Sequence, residues 1–169
     1  MTPFFVWLEA TALSVWIRES TSVFVFPTIL TAHAIGMALA VGVNAAMALR
    51  LVGFAPGVPL EEMKRFVPVM WIGFWVNTVS GILLLLGYPT KALTNPMFYL
   101  KIGLIAVGMW LFTRMAARMW SREVGRPGRT GAWRAGARAL GLTSLACWAA
   151  AITAGRLLAY TATRILATW

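Results

Sequence analysis

SVFVFPTILTAHAIGMALAVGVNAAMALRL, Ser22 to Leu51, is the stretch that decides the fold. It has no charged residue before Arg50, and a helix of about 20 apolar residues already crosses the hydrocarbon of a bilayer. The stretch is therefore a membrane span, and it carries the only histidine in the chain, His33. On a helix, three- and four-residue spacing puts His33 on one face with Phe26, Ile29, Gly36, Met37, Ala40 and Asn44. That face is smaller and more polar than the Val- and Leu-bearing remainder. Ala32, Gly36 and Ala40 recur every four residues, which lets another backbone or a flat ligand come close. An ionisable side chain inside a span faces the bundle interior, a cavity or a cofactor. Three roles stay open for His33 on the residues alone: a neutral ring bonded to a neighbouring helix, a ligand to metal or haem, or a proton-handling group.

The rest of the composition agrees with a membrane chain. Its 169 residues are 60% hydrophobic and 12% charged, with a mean hydropathy of +0.76. That composition excludes a soluble domain, and the length suits a single membrane domain, residues 1–169. Fifteen Lys and Arg against five Glu give a net charge of +10. In a soluble protein that excess would suggest nucleic acid. Between spans it reads as cytoplasmic loops facing anionic lipid headgroups, with no nucleic-acid partner. One histidine and one cysteine, Cys147, exclude an internal disulfide and a protein-only zinc site. No Asp or Glu falls within a span, so the carboxylate relay of a proton pump is missing, and no nucleophile–base pair or phosphate-cradling loop marks a catalytic residue. Of the nine methionines, Met37 lies one turn from His33, and Met47, Met70, Met109, Met115 and Met119 read as scattered apolar filler.

In chain order, residues 1–21 are too interrupted by Glu9, Arg18 and Glu19 to cross a bilayer. Thr11, Ser14 and Arg18 make a narrow polar face and Trp7 and Trp16 suit headgroup level, so an interfacial amphipathic helix is expected. Glu9 falls off that face, either solvated or paired with a basic residue. Spans are expected at about 22–51, 66–86, 97–119 and 139–160. Gly53 to Pro59 breaks the first, and PLEEMKRF opens the second with Pro59 ahead of two glutamates. Gly73, Asn77 and Gly81 form a small or polar stripe facing inward on the second. Asn95-Pro96 opens the third. RPGRTG, within the basic segment Arg122 to Arg138, is a turn-rich interruption. Thr143, Cys147 and Ala154 mark a small-residue face on the fourth. Only helices satisfy the backbone of four such spans, so the fold class is all-α: an integral membrane four-helix bundle with an N-terminal interfacial helix.

Of the fifteen basic residues, ten flank the two loops between spans one and two and between three and four, and five lie on the opposite side. By the positive-inside rule both termini lie outside the cytoplasm. His33 then sits roughly 15 Å below the outer surface. Lys101 and Arg156 enter from the same surface, about one turn deep, where each either snorkels to lipid phosphate or pairs with an anion below. One imidazole beneath two cations matches the needs of an anionic flat cofactor: iron on His33, with Gly36 and Met37 beside the ring and the propionates on Lys101 and Arg156.

FPTILTAHAIGMALAVGVNAAMALRLVGF (residues 26–54) and FVPVMWIGFWVNTVSGILLLLGYPTKALTNPMFYLKIGLI (residues 66–105) resemble an uncharacterised family of small bacterial inner-membrane proteins. The resemblance covers about residues 23–111 and rests on the first-span histidine, the LRLVG end, a glycine in the second span and the NPxFxxK opening of the third. It implies a bacterial inner (cytoplasmic) membrane location and no particular activity. More distantly, the His33 and Lys101 arrangement is similar to the bacterial membrane protoporphyrinogen oxidase and to copper-resistance D membrane proteins. That similarity implies a b-type haem held through His33, although a chain with one histidine cannot supply bis-histidine ligation alone. The expectation is a small haem b-binding subunit of an electron-transfer complex, with membrane lipids and other membrane or periplasmic subunits, or further copies of itself, as partners. The alternative is a cofactor-free structural or assembly subunit. A third reading is an accessory subunit contacting bacteriochlorophyll or quinone.

The charge asymmetry makes a direct prediction. A periplasm-dependent reporter fused after Trp169 is expected to be active, and activity of a cytoplasm-dependent reporter at that position would overturn the orientation.

Overall fold

The computed structural model describes residues 3–20, 22, 24–120 and 131–165. Seven α-helices follow in order among them: α1 Pro3–Glu9, α2 Ala12–Glu19, α3 Val25–Val52, α4 Val67–Gly87, α5 Pro89–Leu93, α6 Pro96–Met119 and α7 Gly131–Ile165, with a 3-10 helix Leu60–Phe66 running into α4. Four of the helical segments are long and apolar enough to cross a membrane, with mean hydropathies of 1.8, 1.9, 1.5 and 1.3. The chain is an all-α membrane bundle.

Local chemistry sets the ends of the spans. Gly53 closes α3 at φ 113°, a left-handed conformation that a side chain would strain, while the N–H groups of Gly53 and Phe54 both return to the Leu49 carbonyl. The following loop is latched by Arg50, which donates to the carbonyls of Val58 and Pro56. Asn95 caps α6 by accepting from the Met97 N–H at 2.9 Å, and Pro96 takes the first helical position, where no N–H is needed. α7 begins earlier than the sequence suggests. Residues 131–138 are helical although they lie in the basic segment expected to interrupt the chain, and RPGRTG itself falls outside the described residues, apart from the glycine at 131.

The spans pack in the neighbour order α4, α3, α7, α6. α3 and α4 make the closest crossing. A Cβ built on Gly36 would stand 2.5 Å from the Asn77 nitrogen, and one on Gly73 2.7 Å from the Ala40 nitrogen and 2.8 Å from the Gly36 carbonyl oxygen. α7 approaches α3 almost as closely at Gly141, whose Cβ would meet the Ala48 carbonyl at 2.7 Å. α4 and α6 touch the middle of this row from opposite ends, and a cleft lies between them in the half of the bundle nearer the chain termini.

At the other end the cleft closes. Met47, Met70, Met115 and Met119, from α3, α4 and α6, are fully buried in one cluster with Ala48, Leu51, Phe112, Ala116 and Ala137. Methionines that look scattered along the sequence converge because each lies on the inward face of its helix at the same depth. The outward faces of α4 and α6 carry Ile72, Trp75, Val79, Ile82, Leu100, Ile102, Val107 and Trp110, all exposed. For a chain that crosses a bilayer this is the lipid-facing surface.

The N-terminal segment forms two short helices, broken at Ala10 and Thr11. Its small polar residues turn inward: Ser14 is fully buried, and Ile17 packs on Gly87 at the end of α4. Trp7 and Trp16 point out, at 63% and 54% exposure. Glu9 is held rather than solvated. It lies 3.9 Å from Arg18, and its carboxylate accepts the Thr90 N–H that opens α5. On α7, Cys147 and Ala154 are buried as expected, but Thr143 is exposed and Ser144 faces inward in its place.

The α3–α4 crossing generates the next prediction. Gly73→Val should destabilise the bundle by about 1–3 kcal/mol, because the new side chain meets backbone that cannot move aside. Gly103, with nothing within 4 Å of a built Cβ, should accept Ala without loss. Reversible unfolding in mixed micelles compares the two variants.

Candidate functional site

His33 enters the bundle two turns from the start of α3, on the same side as Gly36, so the tight crossing brings its ring against α4. Its Nδ1 lies 3.0 Å from the Asn77 carbonyl oxygen and 3.1 Å from the Ser80 hydroxyl. A carbonyl oxygen can only accept, so Nδ1 carries the proton and donates. The Ser80 hydroxyl spends its own proton on the Val76 carbonyl at 2.6 Å, which leaves its oxygen as a second acceptor for Nδ1–H. The Asn77 amide nitrogen donates to the His33 carbonyl at 2.8 Å. Two helices are thus tied by reciprocal bonds between His33 and Asn77, and the ring edge rests on Gly81, whose built Cβ would lie 3.1 Å from Cε1.

With the proton on Nδ1, Nε2 keeps its lone pair, and Lys101 Nζ stands 3.4 Å from it. Lys101 does not snorkel to the surface. Its stem crosses between helices beside α7, where a Cβ on Gly155 would meet Lys101 Cε at 3.5 Å. The amine therefore donates to Nε2, at the long end of hydrogen-bond range. A cluster of His33, Asn77, Ser80 and Lys101 results, drawn from three spanning helices, with a fourth supplying the glycine that lets the lysine in.

The residues singled out from sequence separate here. His33 and Lys101 are brought together. Gly36 serves the helix crossing, and Met37 lines a cavity of about 20 Å³ next to Lys101 and Asn77. Arg156 is exposed on α7 and makes no hydrogen bond to the cluster among the described residues. Asn77 was visible in the inward stripe, whereas Ser80 and Trp148, which also lines the cavity, were not. A hydroxyl three residues beyond Asn77 in an otherwise apolar span is the signal that identifies Ser80.

One feature of the site suits a b-type haem and two oppose it. Nδ1–H bound to a backbone carbonyl is the arrangement that holds a metal-ligating histidine in place. As the helices are packed, however, Lys101 stands where iron would approach Nε2, and the adjoining cavity of about 20 Å³ is far below the several hundred Å³ of an ordinary cofactor pocket. The residues as arranged do not accommodate the macrocycle. No group of three or more His, Cys, Asp or Glu that could hold a metal ion occurs among the described residues.

No protein-family model, no curated protein and no solved structure matches this chain.

The hydrogen-bond pattern is open to measurement. Nitrogen-15 NMR of His33 should report a protonated Nδ1 and an unprotonated Nε2, and the opposite tautomer would contradict the assignment. Asn77→Leu removes the amide bond to the His33 carbonyl and should cost roughly 1 kcal/mol of bundle stability, the usual scale of such bonds in membranes.

Proposed function

We propose that this protein is a small non-catalytic subunit of a larger assembly in the bacterial inner membrane, with both termini on the periplasmic side. The observation that carries the reading is that both ring nitrogens of His33 are spent within the bundle, one on α4 and one on Lys101. A side chain so engaged fixes helices to each other and offers no open coordination position. Its polar cluster sets the register of α3, α4 and α6 in a medium where helix packing has no hydrophobic drive of its own. The orientation is supported by the ten basic residues that flank the two loops opposite the termini. Association with other chains is supported by an open apolar groove of about 330 Å³ between α2, α3 and α4, lined by Trp16, Phe24, Val25, Thr28, Ile29 and Leu83.

A b-type haem on His33, serving electron transfer, is the second reading. One observation favours it: the Asn77 carbonyl already fixes the tautomer that presents Nε2. It requires Lys101 to leave Nε2 and α4 to part from α6. In that event His33 would hold the group, which would supply one-electron chemistry.

One preparation tests both. The chain extracted in mild detergent should run in native mass measurement heavier than its 18.5 kDa and show no Soret band, oxidised or reduced with dithionite. A monomer in several detergents and in nanodiscs would overturn the subunit reading. A Soret band lost in His33→Ala would establish the haem reading.

A further inference from the structure

Most of the arginines at the end of the bundle away from the termini are engaged with protein. Arg50 donates to the carbonyls of Val58 and Pro56, Arg138 to the Val52 carbonyl at 3.2 Å, and Arg65 pairs with Glu62 at 3.0 Å. The Arg118 guanidinium lies against α7, where a Cβ built on Gly136 would meet it at 2.7 Å. Arg114 is placed differently. Its guanidinium stacks on the Trp110 ring, 5.0 Å from the centroid, and makes no hydrogen bond or ion pair among the described residues. A guanidinium carries five N–H donors, and stacking on an indole leaves them unused.

The surroundings fix what those donors can meet. Arg114 and Trp110 are both exposed on the outward face of α6, one turn apart, shortly before its last residue Met119. The stacked guanidinium thus lies roughly 7–14 Å inside the helix end, on the lipid side. Neither α6 nor α7 contains Asp or Glu, so no carboxylate of these helices neutralises it. An arginine on a lipid face is costly unless it finds an anion, and its planar fork matches the paired oxygens of a phosphate.

Deeper along the same face the surface is small and apolar. Val107, Ala106 and Gly103 are exposed, and a Cβ built on Gly103 would find nothing within 4 Å. A shallow track about 10 Å long therefore runs from the indole into the hydrocarbon. A cation for phosphate, then an indole, then an apolar track follow one another in the order of a lipid's head, neck and tail. We infer that α6 binds one anionic phospholipid of the leaflet opposite the termini, its phosphodiester on Arg114 and an acyl chain along Trp110, Val107 and Gly103. Arg118, exposed one turn further out, adds positive charge to the same face. The favoured headgroup is then one without a cation of its own, as in phosphatidylglycerol. The site goes beyond the subunit role proposed above and does not depend on it, since a lone chain would bind the lipid equally well.

The test titrates the purified full-length chain in mild detergent with phosphatidylglycerol or phosphatidylcholine and counts retained lipids by native mass measurement. One phosphatidylglycerol should be retained in preference to phosphatidylcholine. Arg114→Gln should weaken its binding about tenfold, the scale of one charge-assisted hydrogen bond, and Trp110→Leu should weaken it less. Arg65→Gln removes the same charge from the same end and should leave binding unchanged. Equal retention of both lipids, or wild-type affinity in Arg114→Gln, would overturn the site. An equal loss in Arg65→Gln would reduce it to surface charge and overturn it too. Displacement of the lipid by inorganic phosphate would do the same, because the acyl track would then contribute nothing. Should the variants fail to fold, wild-type protein in nanodiscs of phosphatidylglycerol with a photoreactive acyl chain decides it. Cross-links concentrated between Gly103 and Trp110 confirm the site, and cross-links spread evenly over the four spans refute it.

Discussion

The contact between the backbones of α3 and α4 at Gly36 and Gly73 is the constraint on which the rest of the bundle depends. Two glycines facing each other let the helices meet at a spacing no side chain allows, with the Gly73 carbonyl 2.8 Å from where a Gly36 Cβ would be. One turn away, that spacing puts His33 within reach of a backbone carbonyl on α4. A wider crossing would leave the ring without Asn77 and Ser80, and an imidazole in hydrocarbon needs those partners. The crossing also draws α4 to one side of α3, which opens the cleft that Lys101 occupies from the other.

Polar groups in this bundle are arranged by depth. The half near the termini holds His33, Asn77, Ser80 and Lys101, and the Asn95 amide donates to Thr161 of α7 at 2.8 Å. Towards the middle lie Asn44, whose amide nitrogen donates to Ala40, and Ser144, both fully buried. The Asn44 side-chain oxygen and the Ser144 hydroxyl meet no partner. The far half is built from thioethers and aliphatic groups. Interhelical bonds in a membrane contribute only about 0.6–2 kcal/mol each, so the polar half fixes register and the apolar half supplies packing.

Much of this was legible in the sequence. Four apolar runs, the Asn95-Pro96 start and the glycine stop of α3 are local signals, and the structure honours them. The Gly73–Asn77–Gly81 stripe named the face of α4 that receives His33, because period-four small residues must face something close. What was not legible depends on a neighbour the sequence cannot specify. Lys101 could equally have reached up to the headgroups; it turns inward because Gly155, 54 positions later by number, leaves room beside α7. Ser144 rather than Thr143 lies on the buried face because the rotation of α7 is set where its Gly141 packs on Ala48 of α3. Methionines on three helices meet only once the depth of each helix is known.

That methionine cluster has a consequence for how the molecule meets oxidants. Met47, Met70, Met115 and Met119 are unbranched and adaptable, so the end of the bundle they fill can absorb small shifts of α4 against α6 without breaking a lock-and-key fit. The same sulfurs are the residues most easily converted to sulfoxides, which would place polar, chiral groups in a core built mainly from thioethers and hydrocarbon. Their burial is then a chemical shield as well as a packing arrangement. An event that parts the helices at that end would expose several oxidisable thioethers at once, and such damage would tend to lock the parted state.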